Sequence, residues 1–312
     1  MNKNILTVVI PVYNGEKYIT RALECLQNQT WKEFNIIIVN DASTDNTKSI
    51  IESYAKRNKN ISVVNLSQNK GVSYCRTLGI KKCITEYITF LDHDDWVDID
   101  TYENCCYAIL ANVDIAIFGL NYEYIDIDVS ERKYVYDKIF TIDGEYALKI
   151  YGHTIKDSFK ITPIVNNKIY KREFLIQNNI CFNENVRYQE DDIFTFEALM
   201  HAHKVMFIPD SQYHYLQNPN STIHHVSEFS VENFVAAYRT LSDYLKSKAC
   251  FDKYKDEYYL KFKSSLKATI RRIVKYGHSS IEVQHLLALL YVKLTDVIDM
   301  EDFLSYCDLY QI

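Results

Sequence analysis

Apolar runs and amphipathic segments alternate along the first hundred residues of the chain. Runs of β-branched residues predict buried strands, and apolar positions three and four residues apart predict helices. The predicted elements are, in order, a strand over residues 6–12, a helix over about 15–29, a strand over 34–39, a helix near 47–58, a strand over 61–66, a helix over 71–82, and a strand that ends at Asp92. This alternation indicates βαβ units, so the predicted fold class is α/β with a parallel sheet.

The pattern changes twice further along the chain. Residues 98–225 are mixed: the predicted elements are a buried strand over 113–118, an irregular tyrosine-rich excursion over 122–137, a helix over 190–203 and a short strand over 205–208 before Pro209. From residue 228 onward only helical periodicity is present, and no proline follows Pro219. We therefore divide the chain into residues 1–97, 98–225 and 226–312.

Basic side chains alternate with apolar ones in the predicted tail. Such a helix either lies on a membrane surface or exposes a solvated face of a helical subdomain; we prefer the second interpretation. The basic positions are Lys261, Lys263, Lys267, Arg271, Arg272 and Lys275.

Polar segments follow three of the predicted strands, at Tyr13-Asn14, Asp41-Ala42-Ser43 and Asp92-His93-Asp94-Asp95. Because right-handed crossovers bring the carboxyl ends of parallel strands to one edge, these segments are expected to converge. The last segment holds three carboxylates, which repel one another unless a cation lies among them. Hard oxygen ligands suit Mg²⁺ or Mn²⁺, and such an ion would clamp a diphosphate. Taken alone, the segment is also compatible with an acidic, solvated turn.

Composition narrows the class of partner. The formal charge of −6 argues against nucleic acid. Eight cysteines without a CxxC pair are typical of a reduced, cytosolic protein. No apolar stretch reaches the length of a membrane span, so we expect a soluble, cytoplasmic protein, with contact to the inner face of the membrane left open.

Four motifs in this order resemble one family. They are Pro11-Val12-Tyr13-Asn14, the segment 40–47, the segment 69–79 that precedes the acidic cluster, and Glu190-Asp191-Asp192-Ile193-Phe194. Over residues 5–222 the chain resembles the inverting glycosyltransferases of family 2, in their bacterial surface-polysaccharide branch. The resemblance implies a GT-A fold with a Rossmann-like, mixed central sheet. Residues 1–97 would then bind the nucleotide-sugar, residues 98–225 would bind the acceptor and catalyse transfer, and residues 226–312 would form a helical region.

The resemblance also implies a role for each donor-side residue. Asp41 matches an aspartate that accepts a hydrogen bond from the uracil imide, and the backbone from Pro11 to Tyr13 lines the base. An Asx turn with a helix N-cap explains Asp41 equally well, and both interpretations hold together. Arg76 matches an arginine that supports the diphosphate, a role that suits its fork of donors. A surface arginine without a role is the alternative.

Asp92, His93 and Asp94 match the DxD motif of this family. The match implies that Asp94 ligates Mn²⁺ or Mg²⁺ directly, while Asp92 holds the ribose or a metal-bound water. His93 occupies the variable middle position, where we expect a structural role in preference to that of a further ligand.

Asp191 matches the catalytic base that deprotonates the acceptor hydroxyl. Its neighbours Glu190 and Asp192 would raise its pKa, which favours a base at neutral pH. Asp192 is the alternative base, and an acidic helix N-terminus explains the acidity without catalysis.

Two further segments match more loosely. Residues 167–172 would border the acceptor cleft, and residues 213–222 resemble a closing segment in which Leu216 replaces a common arginine. This replacement puts a diphosphate contact from that loop in doubt. His214, His224 and His225 are candidates for a metal or phosphate contact, although a structural role is more usual for a single histidine.

The resemblance implies transfer of a hexose or N-acetylhexosamine from a UDP-sugar to a glycan or lipid-linked glycan. The alternatives are an inactive partner subunit of the same family and a nucleotidyltransferase. The second would need a glycine-rich phosphate loop, for which Asn14-Gly15-Glu16-Lys17 is a poor match. A dinucleotide-binding dehydrogenase is disfavoured because no GxGxxG follows the first strand.

Overall fold

The apolar runs of the first hundred residues form four parallel strands joined by helices, as predicted. The structure, a computed structural model, describes residues 4–124, 129–153, 155, 159–217 and 226–308. All seven residues of the first strand are buried, as expected for a strand covered on both faces. The elements of this half are β1 (Leu6–Val12), α1 (Ile19–Gln27), β2 (Phe34–Asn40), α2 (Thr47–Arg57), β3 (Ile61–Asn65), α3 (Val72–Lys82) and β4 (Tyr87–Phe90).

Six further strands extend the sheet. They are β5 (Trp96–Val97), β6 (Ile115–Tyr124), β7 (Val129–Tyr134), β8 (Phe140–Ile142), β9 (Lys168–Lys171) and β10 (Val205–Leu216). The order is β3-β2-β1-β4-β9-β6-β10-β5, with β7 paired to β6 and β8 to β10. Because β9 is antiparallel to β4 and to β6, the sheet is mixed. The fold class is therefore α/β with a mixed central sheet, and the neighbour reported below has the same fold.

Several boundaries differ from the sequence-based predictions. The helix predicted from residue 15 begins at Ile19 because turns precede it. The strand predicted to end at Asp92 ends at Phe90. The predicted irregular excursion contains the end of β6 and all of β7, which pair antiparallel. The short strand predicted before Pro209 continues through it as β10, where the register with β6 shifts between Phe207 and Gln212. A bulge of this kind accommodates a residue without a backbone donor.

The remaining described elements are helical. They are α4 (Thr101–Asn104), α5 (Cys106–Leu110), α6 (Gly144–Tyr151), a 3₁₀ turn (Val165–Asn167), α7 (Arg172–Gln177), α8 (Glu190–His201), α9 (Glu228–Ser247), α10 (Phe251–Tyr276), α11 (Ser280–Leu294) and α12 (Met300–Asp308). The predicted helical tail therefore corresponds to α9 to α12. None of the described helices has the length and apolar content needed to cross a membrane.

Two hydrophobic clusters form the core. One contains Leu6, Leu23 and Met206. The other extends without interruption from Val9 in the sheet to Leu290 in α11. The C-terminal helices are thus packed into the same core as the sheet.

The basic residues of α10 do not form a single free surface. Lys261 is 7% exposed and pairs with Asp192. Arg272 donates a hydrogen bond to the hydroxyl of Tyr188. The expected solvated face of this helix therefore excludes Lys261, while Arg272 is partly exposed.

Candidate active site

The polar loops after β1 and β2 lie together, as the predicted topology required. The backbone N–H of Asn14 donates to Ser43 Oγ at 3.0 Å, and Thr44 N–H donates to Asn14 Oδ1 at 2.8 Å. Gly15 N–H donates to Thr47 Oγ1 at 2.8 Å. These bonds explain why α1 begins at Ile19 and not at residue 15, since Asn14 and Gly15 are hydrogen-bonded to the loop after β2.

Asp41 joins β2 to the start of α3. Its carboxylate is 4% exposed and accepts hydrogen bonds from the N–H groups of Lys70 at 2.7 Å and Gly71 at 2.8 Å. Gly71 has a φ of 88°, a conformation that favours glycine. Pro11 lies in buried β1, and Tyr13, directly after it, is 47% exposed. The Asp41 carboxylate is thus bound by a distant loop and not by a local Asx turn or N-cap, and each of its oxygens retains a lone pair.

Arg76 connects α3 to the acidic segments on both sides of it. Its guanidinium is 3% exposed and donates to Asp191 Oδ1 at 2.7 Å, Asp92 Oδ1 at 3.0 Å and Glu190 Oε1 at 3.2 Å. The face of the guanidinium lies 5.3 Å from the centre of the Phe182 ring. Arg76 therefore brings together two segments that are about a hundred residues apart in the chain.

Charge balance at Arg76 depends on the three carboxylates. Burial alone would lower the pKa of Arg76, but Asp191, Asp92 and Glu190 together raise it above its ordinary value. The cation is permanent, and its Nε–H has no partner among the described residues. In this structure the guanidinium is directed at carboxylates, so its fixed positive charge offsets their mutual repulsion.

Asp191 is a partly buried carboxylate, 23% exposed, with a pKa near neutrality. Burial raises its pKa, Arg76 lowers it, and the charges of Glu190 and Asp92 raise it again, to about 7 overall. Its second oxygen accepts a long hydrogen bond from Val165 N–H at 3.4 Å. A carboxylate in this state is poised to accept a proton at physiological pH.

Asp192 has a different environment although it is the next residue. Its carboxylate is 5% exposed and pairs with Lys261 Nζ at 2.8 Å. It also accepts hydrogen bonds from the hydroxyls of Tyr151 at 2.5 Å and Ser265 at 3.2 Å. Burial raises its pKa, but Lys261, Tyr151 and Ser265 together lower it by more, so that it falls below the ordinary value. A carboxylate held in this way is a weak candidate for a base.

The acidic segment after β4 separates into distinct environments. Asp95 is fully buried, accepting hydrogen bonds from Leu216 N–H at 2.8 Å and from the Tyr213 hydroxyl. Asp94 is partly buried, and its carboxylate accepts no hydrogen bond from another residue of the described part of the chain. Burial and the neighbouring Asp92 raise the pKa of Asp94, against the lowering effect of His93. The His93 ring lies beside Gly15, where an added Cβ would approach its Cδ2 to 2.5 Å.

A divalent cation fits the chemistry of these residues. The Asp94 carboxylate is partly desolvated and is bound by no other residue through a hydrogen bond, and its repulsion with Asp92 would be relieved by a positive ion. The described residues contain no group of three or more potential ligands. The protein would thus supply few ligands, as is usual for Mg²⁺, which retains waters and binds substrate phosphates.

His214 is a structural residue and not a free ligand. Its Nδ1 lies 2.6 Å from Glu123 Oε1, and its Nε2 lies 2.9 Å from Asp98 Oδ1. Its ring also stacks on Trp96. With both nitrogens engaged, His214 has the structural role that the sequence favoured, and not the alternative of a metal or phosphate contact. His224, His225 and the closing segment from residue 218 lie outside the described residues.

Lys168 is a buried residue at this site that sequence reasoning did not single out. Its ammonium donates to the carbonyls of Ile164 at 2.5 Å and Thr162 at 2.8 Å, and to Asn167 Oδ1 at 2.9 Å. Burial lowers its pKa to about 7, with the Asp191 charge opposing this effect. Lys168 thereby orders the loop that carries Val165. The available signal in the sequence was a lysine within a β-rich segment, because a lysine that is buried there needs specific partners.

Comparisons with known proteins identify the family of the chain. A family model described as Glycosyl transferase family 2 matches residues 7–177. The chain is 29% identical over 265 residues to EpsH of Bacillus subtilis, covering 82% of this chain and 74% of EpsH. It is 28% identical over 262 residues to the poly(ribitol-phosphate) beta-N-acetylglucosaminyltransferase TarS of Staphylococcus aureus, covering 82% of this chain but only 43% of TarS.

A solved structure extends the likeness to the whole fold. The crystal structure of S. aureus TarS 1–349 in complex with UDP-GlcNAc superimposes with a TM-score of 0.64 at 21% identity, covering 98% of this chain and 91% of that one. At this identity the match concerns the fold, while the family model covers more than half of the sequence. The chain belongs to glycosyltransferase family 2.

Proposed function

We propose that the protein is an inverting glycosyltransferase. It transfers a hexose or N-acetylhexosamine from a UDP-sugar to a hydroxyl of a glycan or lipid-linked glycan, in the synthesis of a surface polysaccharide or lipooligosaccharide. One observation carries this proposal: Arg76 holds Asp191, whose pKa is about 7, beside Asp92 of the acidic segment. A base and a diphosphate-side carboxylate are thereby kept within one ordered cluster.

Asp191 is the general base in this proposal. Its ionised carboxylate takes the proton of the acceptor hydroxyl as that oxygen bonds to the anomeric carbon. The bond from the anomeric carbon to the UDP oxygen breaks on the opposite face, which inverts the configuration. A pKa near the working pH gives both a useful ionised fraction and sufficient basicity. Arg76 keeps the carboxylate oriented between turnovers.

The donor side is formed by the loops after β1 and β2. The free lone pair of Asp41 would accept the imide N–H of uracil, and the backbone from Pro11 to Tyr13 would line the base. The Tyr13 side chain is exposed enough to contact the nucleotide. Arg76 would support the diphosphate indirectly, by keeping Asp92 in place beside the ribose. These roles follow the motifs and agree with the geometry.

Asp94 and Asp92 would hold the divalent cation, Mn²⁺ or Mg²⁺. When bound, this ion supplies positive charge that stabilises the departing UDP. Arg76 binds the Asp92 carboxylate, whereas no other residue donates to that of Asp94, so we assign Asp94 the direct contact and Asp92 the ribose or a coordinated water. His93, packed beside Gly15, keeps the intervening backbone in place.

The names of relatives support the class of donor and acceptor. The matched TarS structure contains UDP-GlcNAc, and TarS itself is named for poly(ribitol-phosphate). A Bacillus spizizenii relative, 27% identical over 251 residues, is named as a poly(ribitol-phosphate) beta-glucosyltransferase. We infer a related anionic or neutral surface glycan as acceptor. The reaction is placed in the cytoplasm, with lipid-linked acceptors reached at the inner face of the membrane.

The test is release of UDP from a panel of UDP-sugars, measured in Mn²⁺ with and without EDTA. One donor is expected to give metal-dependent release, which Asp191→Asn abolishes while leaving UDP-sugar affinity near normal. Glu184→Gln, which alters an exposed carboxylate, serves as the matched control. UDP binding without release from any donor, even with glycan acceptors present, would favour an inactive partner subunit. A protein that binds no UDP would overturn the proposal.

A further inference from the structure

We propose that Lys261, on α10, is a positioning residue for the catalytic base. Through its ion pair with Asp192 it fixes the first turn of α8, so that Asp191 faces the acceptor hydroxyl. This inference rests on the proposed function of Asp191. It gives the C-terminal helices a part in the reaction, since Lys261 lies beyond the residues that the family model matches.

The Asp192 carboxylate is the meeting point of three helices. Lys261 Nζ lies 2.8 Å from Asp192 Oδ1, and Ser265, one turn later on α10, donates at 3.2 Å. The hydroxyl of Tyr151 on α6 donates at 2.5 Å, and that of Tyr238 on α9 at 3.4 Å. All of these side chains are buried. The carboxylate is therefore fixed from several directions at once.

Lys261 is itself held in one orientation. Its ammonium lies 4.2 Å from the centre of the Tyr151 ring, in addition to its contact with Asp192. The same tyrosine thus contacts the ammonium with its ring and the carboxylate with its hydroxyl. A short contact among buried partners leaves little freedom for rotation, which is the property that a positioning group requires.

Helix geometry transmits this constraint to the base. Successive residues of a helix point about 100° apart, so Asp191 and Asp192 face different neighbours. Asp191 faces Arg76 and Val165, whereas Asp192 faces the C-terminal helices. The first turn of α8 is thereby anchored on two sides. Its preceding residue, Gln189, has a φ of 65° and no capping side-chain hydrogen bond, so local capping does not replace these anchors.

A purely stabilising role does not account for a charged pair at this place. Apolar side chains of similar volume often stabilise a core as well as a buried ion pair does. An ion pair with added hydroxyl donors instead specifies direction and distance. Displacing a reacting group by about 1 Å costs on the order of a hundredfold in rate. The orientation of Asp191 at the start of α8 therefore has a large effect on the rate of transfer.

The experiment measures turnover for each UDP-binding site, counted by titration with UDP. Lys261→Met is expected to lower turnover per site by roughly ten- to a hundredfold, with the KM for the UDP-sugar changed by less than about threefold. Lys263→Met is the matched control, because Lys263 lies on the same helix and pairs with Asp302 at 3.5 Å near the surface. It should retain the turnover of the unaltered protein.

Charge balance provides an independent check. In Lys261→Met combined with Asp192→Asn, no uncompensated buried charge remains and the hydroxyl donors still have an acceptor. We expect turnover per site in this double variant to be at least about threefold higher than in Lys261→Met. Lys261→Arg should also retain more turnover than Lys261→Met. If Lys261→Met does not fold, Ser265→Ala and Tyr238→Phe each remove one hydrogen bond without exposing a charge. Each should lower turnover per site by at least about twofold.

The outcomes separate this inference from the proposed function. A protein that binds UDP but shows no turnover in any form overturns the proposed function, and the positioning role is overturned with it. If the unaltered protein is active and Asp191→Asn is inactive, unchanged turnover per site in Lys261→Met overturns the positioning role alone. Fewer UDP-binding sites with unchanged turnover at each would show that Lys261 only stabilises the fold. If Lys261→Met does not fold, unchanged turnover per site in both Ser265→Ala and Tyr238→Phe overturns the positioning role.

Discussion

Two adjacent carboxylates on α8 have pKa values shifted in opposite directions. Burial raises the pKa of both Asp191 and Asp192, so desolvation cannot distinguish them. The difference lies in their partners. Asp192 forms an ion pair with Lys261 and accepts hydrogen bonds from several hydroxyls, whereas Asp191 shares Arg76 with two other carboxylates. The environment therefore separates a proton acceptor from a structural anion within one helical turn.

The rate of transfer should depend on pH through Asp191. Because the base acts in its ionised form and its pKa is about 7, kcat is expected to fall tenfold for each pH unit well below 7. The measurement is kcat at saturating donor and acceptor over about pH 5 to about pH 9. Glu184→Gln should give the same profile as the unaltered protein. A profile that stays flat down to about pH 5 would show that Asp191 does not titrate in the rate-limiting step.

Removal of the Asp94 carboxylate should weaken only the metal-dependent part of UDP binding. Asp94→Ala is expected to reduce UDP affinity in Mn²⁺ by about tenfold or more, and to leave the weaker affinity in EDTA unchanged. The cause is loss of a partly desolvated carboxylate that no other residue binds by a hydrogen bond. Calorimetry in both buffers measures the difference. Glu103→Ala, at an exposed position, is the control, and equal affinities of Asp94→Ala and Glu103→Ala in Mn²⁺ would exclude Asp94 as a ligand.

Sequence reasoning identified Asp41, Asp92 and Asp191 because each lies in a motif at the end of a strand or the start of a helix. It gave Asp94 a role and Asp95 none through the motif, but it did not explain how two adjacent carboxylates come to differ. Asp95 is bound by Tyr213 and Leu216, more than a hundred residues later in the chain. Such partners depend on which strands are neighbours, a property that local spacing does not contain.

At the scale of elements, prediction was most accurate for the buried strands. A strand over residues 6–12 was predicted and is present as β1, because its run of apolar residues has sharp polar limits. The length of β10 was not predicted, because Pro209 was taken as its end. A shift of register at that point allows the strand to continue. Proline terminates a regular strand, but a bulge removes the need for its missing donor.

Helix α8 contains a second buried carboxylate whose charge state should control stability. Glu197 is 8% exposed, and burial raises its pKa to about 8 despite the opposing charge of Lys248. In the unfolded chain it ionises near its ordinary value, so between these values the folded state binds more protons. The free energy of unfolding should therefore decrease as pH rises from about 4.5 to about 8.

Glu197→Gln should remove this dependence. We expect the variant to be more stable than the unaltered protein at about pH 8, by on the order of 2 kcal/mol, and of similar stability at about pH 5. Denaturant unfolding at both values measures the effect. Glu184→Gln, altered on the surface, should match the stability of the unaltered protein at each of the two pH values. Equal stability of Glu197→Gln and the unaltered protein at the higher pH would mean that Glu197 is ionised and solvated in the folded state.

The C-terminal helices contribute to both the core and the candidate site. The larger hydrophobic cluster passes from Val9 and Phe90 in the sheet to Phe262 and Leu290 in these helices. Sequence periodicity predicted that the tail is helical, because amphipathic spacing requires a covered face. It did not predict what covers that face. The pairing of Lys261 with Asp192 was equally inaccessible, since a basic residue between apolar ones is compatible with a solvated surface.

The shared core predicts that the chain unfolds as one unit and that its first part does not fold alone. A chain ending at residue 225 would lose Lys261 and expose the apolar surface that α9 and α10 cover, leaving Asp192 as an uncompensated buried charge. We expect it to show no cooperative thermal transition and no UDP binding, whereas the full chain shows a single transition. Co-expression of residues 1–225 with residues 226–312 should restore UDP binding, since the covering surface is then available. Cooperative unfolding and UDP binding by residues 1–225 alone would instead mean that the helices form an independent domain resting on a complete site.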